Sequence, residues 1–218
     1  MEQEEALYKV LKETIIASQN IRFEGDGYSD EWKDEAARRG LTNICHVPEA
    51  IMKFNDPQSR SVLIGEKIFN ENELNCRIEV ELEKFTKKVQ IESRVLGDLA
   101  INHIVPTAVI YQNRLLENLR GLKEIFSTEE YEEMTADRKD LVREIQRRIL
   151  SIKKAVHDMT EARKVANHLG SQVEKAFSYE EKVRPYLEEI REHIDSLELE
   201  IDDEIWPLPK YRELLFTK

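Results

Sequence analysis

Apolar residues recur along most of this chain at intervals of three and four, the spacing that lines one face of an α-helix. Residues 5–22 open the pattern with Leu7, Val10, Leu11, Ile15 and Ile16. It stops at Phe23-Glu24-Gly25-Asp26-Gly27-Tyr28, a run whose glycines favour a turn. Ser29 or Asp30 can cap a short helix through Arg39, with Gly40 closing it. Pro48 and Pro57 each open a further element, over 49–54 and 58–69, because proline fits the first turn of a helix. The first third is thus predicted as short, irregular helices.

The character changes near Asn70. Ile78, Leu82, Phe85, Val89, Glu92, Leu96, Leu99 and His103 follow an unbroken 4-3-4-3 spacing, the seam of a helix packed on helices. From Ile91 a second stripe of Val95, Ile101 and Val105 predicts burial that widens toward the far end. Pro106 should kink or divide this central helix, since it lacks a backbone donor and crowds the preceding turn. The pattern resumes at Ala108, Leu115, Leu119, Leu122 and Phe126. Ser127-Thr128-Glu129-Glu130 offers a capped start to the next helix. Its seam is Val142, Ile145, Ile149, Ile152, Val156, Met159 and Ala166, ended by Gly170. A third seam follows in Val183, Leu187, Ile190, Ile194, Leu197 and Ile201. Trp206-Pro207-Leu208-Pro209 cannot continue a helix, and residues 210–216 can add a turn or two. The expected fold is all-α: an antiparallel bundle of long helices over 71–218 with a proline-divided central helix, preceded by the short helices of 1–70.

Charge sharpens this picture. Residues 138–154 hold seven basic and two acidic side chains, and residues 188–204 hold nine acidic and one basic. Folding back at about Gly170 sets these stretches side by side, which predicts Arg147 and Arg148 near Glu192 and Asp195. The 218-residue chain carries a net charge of −11 and a charged fraction of 35%, well above the usual ~25%. Such a field repels a phosphate backbone, so no nucleic-acid partner is expected. No apolar run reaches the ~20 residues that span a membrane. The acidic start Met1-Glu2-Gln3-Glu4-Glu5 is unlike a signal peptide, and Cys45 and Cys76 show no CxxC spacing, as expected of reduced thiols in the cytoplasm.

Catalytic patterns are sparse. Gly25-x-Gly27 has Asp30 where a dinucleotide loop needs its third glycine. No His among His46, His103, His157, His168 and His193 has a glutamate three residues earlier, as a di-iron bundle requires. Cys45-His46 lacks a second pair of zinc ligands. Asp202-Asp203-Glu204 point in different directions if helical, and read as a solvated helix end. His103 continues an apolar seam as a core histidine. Arg94, Asp98, Gln112 and Asn113 sit among apolar residues as a buried polar network fixing helix register. The sharper alternatives are a ligand site there, or an enzyme built on Arg94, Asp98 and His103.

The closing run Asp203-Glu204-Ile205-Trp206-Pro207-Leu208-Pro209-Lys210-Tyr211-Arg212-Glu213-Leu214-Leu215-Phe216 resembles the C-terminus of type III glutamine synthetases. Gln90-Ile91-Glu92-Ser93-Arg94-Val95-Leu96-Gly97-Asp98-Leu99-Ala100-Ile101-Asn102-His103-Ile104-Val105-Pro106-Thr107-Ala108 is similar to that family's long helix. Gly25-Asp26-Gly27-Tyr28-Ser29-Asp30-Glu31-Trp32 with Arg39-Gly40-Leu41 resembles the stretch after its catalytic core. The resemblance implies a parent enzyme that joins glutamate and ammonia using ATP and magnesium or manganese, in large double-ring oligomers. The metal-binding glutamates and nucleotide-contacting arginines of such enzymes lie upstream, so no catalytic, cofactor-binding or metal residue is assigned here. Residues 1–70 would be the tail of the catalytic domain and 71–218 the helical C-terminal extension. Its expected partners are the catalytic core and neighbouring subunits, with self-association through exposed apolar faces. The alternative is an independent helical protein-interaction module.

Overall fold

The first apolar stripe folds into a 16-residue helix, Glu2–Ala17 (α1), followed by a single 3-10 turn at Gln19–Ile21. The guanidinium of Arg22 donates to the Ile15 carbonyl at 2.8 Å, satisfying one of the carbonyls that a helix end leaves open. Ser29 caps Asp30–Arg38 (α2) by accepting from the Trp32 amide at 3.3 Å, and Gly40 ends it at φ 71°, a left-handed turn that glycine adopts freely. Arg39 then reaches back and donates to the carbonyls of Asn20, at 3.1 Å, and Arg22. The rings of Phe23 and Trp32 pack 4.9 Å apart. These contacts lie within the first of two compact units, Met1–His46 and Val47–Lys218. The computed structural model describes residues 2–216, among which no strand occurs.

In the second unit, Val47–Met52 (α3) and Pro57–Gly65 (α4) are the short helices expected after Pro48 and Pro57. The second is shorter than predicted. Lys67, in the left-handed region at φ 57°, turns the chain so that the Ile68 and Phe69 amides bond the Leu63 carbonyl. Glu71–Leu99 (α5) begins with a reciprocal capping box between Asn70 and Glu73, which places a helix start where the periodicity changes. Val105–Ile125 (α6) continues the same helical path. Thr128–Asn167 (α7), 40 residues long, starts at a second capping box between Ser127 and Glu130. Gln172–Ser178 (α8), Pro185–Glu200 (α9) and the single turn Tyr211–Leu214 (α10) complete the order.

The long helices form antiparallel neighbours around one core. Along α7, Ile145, Ile149, Ile152, Met159 and Ala166 are buried, as the seam predicts, and Ala155 joins them. Along α9 and the residue after it, Ile190, Ile194, Leu197 and Ile201 are buried against this row. Full burial of each such aliphatic side chain contributes about 1.5–3 kcal/mol before ordering costs. A smaller cluster of Leu74, Ile78, Leu82 and Ala176 seats the first half of α5 against α3, α4 and α8, with Phe85 touching both clusters.

Proline divides two helical paths in the same way. Pro106 cannot bond the carbonyl four residues back and its ring crowds that carbonyl. The chain widens instead into a π turn over Ala100–Ile104, in which the Val105 amide bonds the Ala100 carbonyl five residues back. Pro185 is preceded by a matching π turn, Tyr179–Val183, closed by the Arg184 amide on the Tyr179 carbonyl at 2.9 Å. The even apolar spacing around Val183 and Leu187 conceals that second break.

The predicted seam of α5 drifts. Ile78, Leu82 and Val89 are buried, but Glu92 and His103 are exposed, and burial passes to Ser93, Ala100, Ile104 and Ala108. A straight helix turns every 3.6 residues, so a strict 3.5-residue seam slips by ~20° per heptad; α5 follows the straight course. Ile91 and Val95, expected to widen the buried face, are exposed at 62% and 53% for the same reason. The small residues on the true seam let α5 approach α7. A Cβ on Gly97 would lie 3.5 Å from both Met159 Cε and Val156 Cγ1, an ordinary contact distance. Gly97→Ala should therefore raise stability by up to ~1 kcal/mol through helix propensity. Gly97→Leu should lower it by about 1–3 kcal/mol through overpacking, both read from urea unfolding.

Candidate functional site

The polar residues singled out as a network do not form one. Arg94, Asp98 and Asn113 are exposed; Asp98 accepts from Asn102 at 2.6 Å, and Gln112 donates to the Val142 carbonyl at 3.0 Å. Arg94 and Asp98 lie on the solvent side of a helix whose buried face has moved by one position, His103 is exposed too, and half-buried Gln112 faces α7. Arg94, Asp98 and His103 are all exposed. Cys45 and Cys76 are free and exposed, and among the described residues no group of three His, Cys, Asp or Glu could hold a metal ion. Asp202 accepts from Arg114 of α6 at 3.2 Å and from the Glu204 amide at 3.0 Å, while Asp203 bonds Lys210. This acidic run thus anchors the closing segment, together with buried Trp206.

A different polar cluster, not evident in the sequence, crosses from α5 to α7. The Tyr179 hydroxyl, on a residue with no exposed surface, donates to Asn167 Oδ1 at 2.7 Å. Gln90 Nε2 donates to the same oxygen at 3.2 Å. One turn along, Arg163 Nη1 lies 3.5 Å from Ser93 Oγ. Burial raises the Tyr179 phenol above its ordinary value, so it stays a neutral donor. The cluster locks three segments that come together only in the folded chain, which is why periodicity could not find it. Tyr179→Phe should cost about 1 kcal/mol and lower the thermal midpoint by roughly 2–4 °C.

The charge complementarity of α7 and α9 is also redistributed. The two helices do pack together, but Arg147 and Arg148 both pair with Glu144 on their own helix, Arg148 at 2.9 Å. Asp195 pairs with Arg191 at 3.3 Å. Residues three and four apart are helix neighbours, so these partners win over the expected Glu192 and Asp195. The cross-helix approach is instead Arg148 to Glu200. Burial raises the Glu200 carboxyl above its usual range, opposed by Arg148 and reinforced by Glu144. The folded chain thus holds this proton more tightly than the unfolded one, and charging Glu200 opposes folding as pH rises. Glu200→Gln should be more stable than the parent near pH 7. The gain should vanish below the ordinary carboxylate value, about 4.3; paired urea titrations at two pH values check this.

Apolar surface is the remaining feature. Leu7, Val10, Leu11 and Ile15 on α1 are all at least half exposed, as are Ile91, Val95 and Ile110 on the path from α5 to α6. No helix among the described residues is long and apolar enough to cross a membrane.

The glutamine synthetase C-terminal domain family matches residues 6–123. A glutamine synthetase of Bacteroides fragilis (strain YCH46) is 76% identical over 216 residues, covering 99% of this chain and 30% of the relative. A type-3 glutamine synthetase of Dictyostelium discoideum is 27% identical over 223 residues, covering 98% and 29%. A glutamine synthetase of Butyrivibrio fibrisolvens is 28% identical over 216 residues, covering 99% and 30%. The chain spans less than a third of the length of these relatives.

Proposed function

The chain belongs to the glutamine synthetase C-terminal domain family, and from that premise we propose that it serves packing, assembly or regulation in a type III glutamine synthetase. In this reading the parent enzyme makes glutamine from glutamate, ammonia and ATP with magnesium or manganese, in the cytoplasm. The reacting groups belong to its catalytic core, and this chain contributes helical surface. The observation that carries the reading is the near-complete coverage of this chain beside about 30% coverage of each relative.

The partners in this proposal are the catalytic core and neighbouring subunits. Residues 1–70, with their short helices and exposed stripe, would adjoin the core, and residues 71–218 would form the extension. The family match itself runs across Asn70, and the chain's division into compact units falls at His46. Residues 47–70 therefore pack with the bundle while keeping the short-helix character of what precedes them.

Purified alone, the chain should form no glutamine from glutamate, ammonia and ATP with either metal. Mixed with the separately produced upstream region of the Bacteroides fragilis relative, it should co-elute with that region on size exclusion. Glutamine formation by the isolated chain would overturn the proposal, and so would failure to associate.

A further inference from the structure

An isolated 16-residue helix is only marginally stable in water, so most helices of this length depend on packing of their apolar face. The α1 helix lacks that support. Leu7, Val10, Leu11 and Ile15 recur at helical spacing, and their exposures are 59, 59, 52 and 50%. The opposite side carries Glu5, Lys9, Lys12 and Glu13, with exposed Ile16 among them, so Leu7, Val10, Leu11 and Ile15 form the more continuous apolar face. Its C-terminal end is held by Arg22 and by the Ser18 hydroxyl, both donating to the Ile15 carbonyl. Contiguous exposed apolar surface of this kind marks an interaction site.

The occupant follows from the family match. That match begins at residue 6, inside α1, and carries the name of a C-terminal domain, while each relative has more than two-thirds of its length outside the shared span. In such a relative the helix equivalent to α1 directly follows the remaining region. Contiguity makes their contact intramolecular and raises the effective concentration of the upstream region at this face. We infer that the apolar face of α1, formed by Leu7, Val10, Leu11 and Ile15, is the surface on which the upstream catalytic region of the same enzyme seats. This inference rests on the proposal that the chain is part of such an enzyme, and it assigns the contact to one face.

Binding of the intact chain to the purified upstream region of the Bacteroides fragilis relative tests it. The double variant Leu7→Asp/Leu11→Asp places two carboxylates in the face, and Leu7→Ser/Leu11→Ser removes the apolar groups without charge. Leu199→Asp, at an 88% exposed position of α9, serves as the control. Both double variants should weaken binding by about tenfold or more, with the thermal midpoint of the bundle unchanged, and the control should bind like the parent chain. If the parent chain binds and the double variants bind equally well, the α1 face is not the contact and the inference fails while the proposed function stands. If the parent chain does not bind, the proposed function fails, and the inference with it.

Discussion

The second unit depends on one apolar row. The 40 residues of α7 present Ile145, Ile149, Ile152, Ala155, Met159 and Ala166 along a single face, and both neighbouring helical paths close against it. On one side lie α5 and α6, joined to it through Gly97, Gln90 and Gln112. On the other lies α9 with Ile190, Ile194 and Leu197. Most of the stability of such a helix comes from packing of its apolar face, and burial of the row supplies it.

The two prolines show what that constraint demands. Breaking a helical path at Pro106 or Pro185 would take Ile104 or Val183 out of the core. A π turn instead absorbs the missing hydrogen bond within five residues and keeps Ala100, Ile104, Tyr179 and Val183 all buried. The second π turn also delivers the Tyr179 hydroxyl to Asn167, so a backbone accommodation and a side-chain lock share one residue. π turns are widened by one residue and rotate whatever follows, which is why helical faces on either side of Pro106 do not align with a simple repeat.

Much of this fold was legible in the residue pattern because burial is periodic. The all-α class, the change of character near Asn70, the capped start at Ser127, and the seams of α7 and α9 follow from spacing and end chemistry. The errors have physical causes. A 3.5-residue template carried the α5 seam to Glu92 and His103, whereas a straight helix brings Ser93 and Ala100 inward. The same slip turned exposed Arg94 and Asp98 into an apparent buried network. Arg147 and Arg148 found Glu144 on their own helix, because local partners come without the cost of matching two helices. The Tyr179 cluster joins residues up to 89 positions apart, a relation that no periodicity encodes. The family was legible in the tail and in 90–108.

The two units differ in how complete they are. Val47–Lys218 buries a continuous core, whereas α1 of Met1–His46 holds its apolar face in solvent. Hydrogen–deuterium exchange along the chain, with and without the upstream region of the Bacteroides fragilis relative, tests this contrast most directly. The account predicts that α7 amides exchange slowly in both samples, while α1 amides exchange fast in the chain alone and slow strongly in the mixture. Equal, slow exchange of α1 in the isolated chain, or exchange of α1 unaltered in a formed complex, would contradict it.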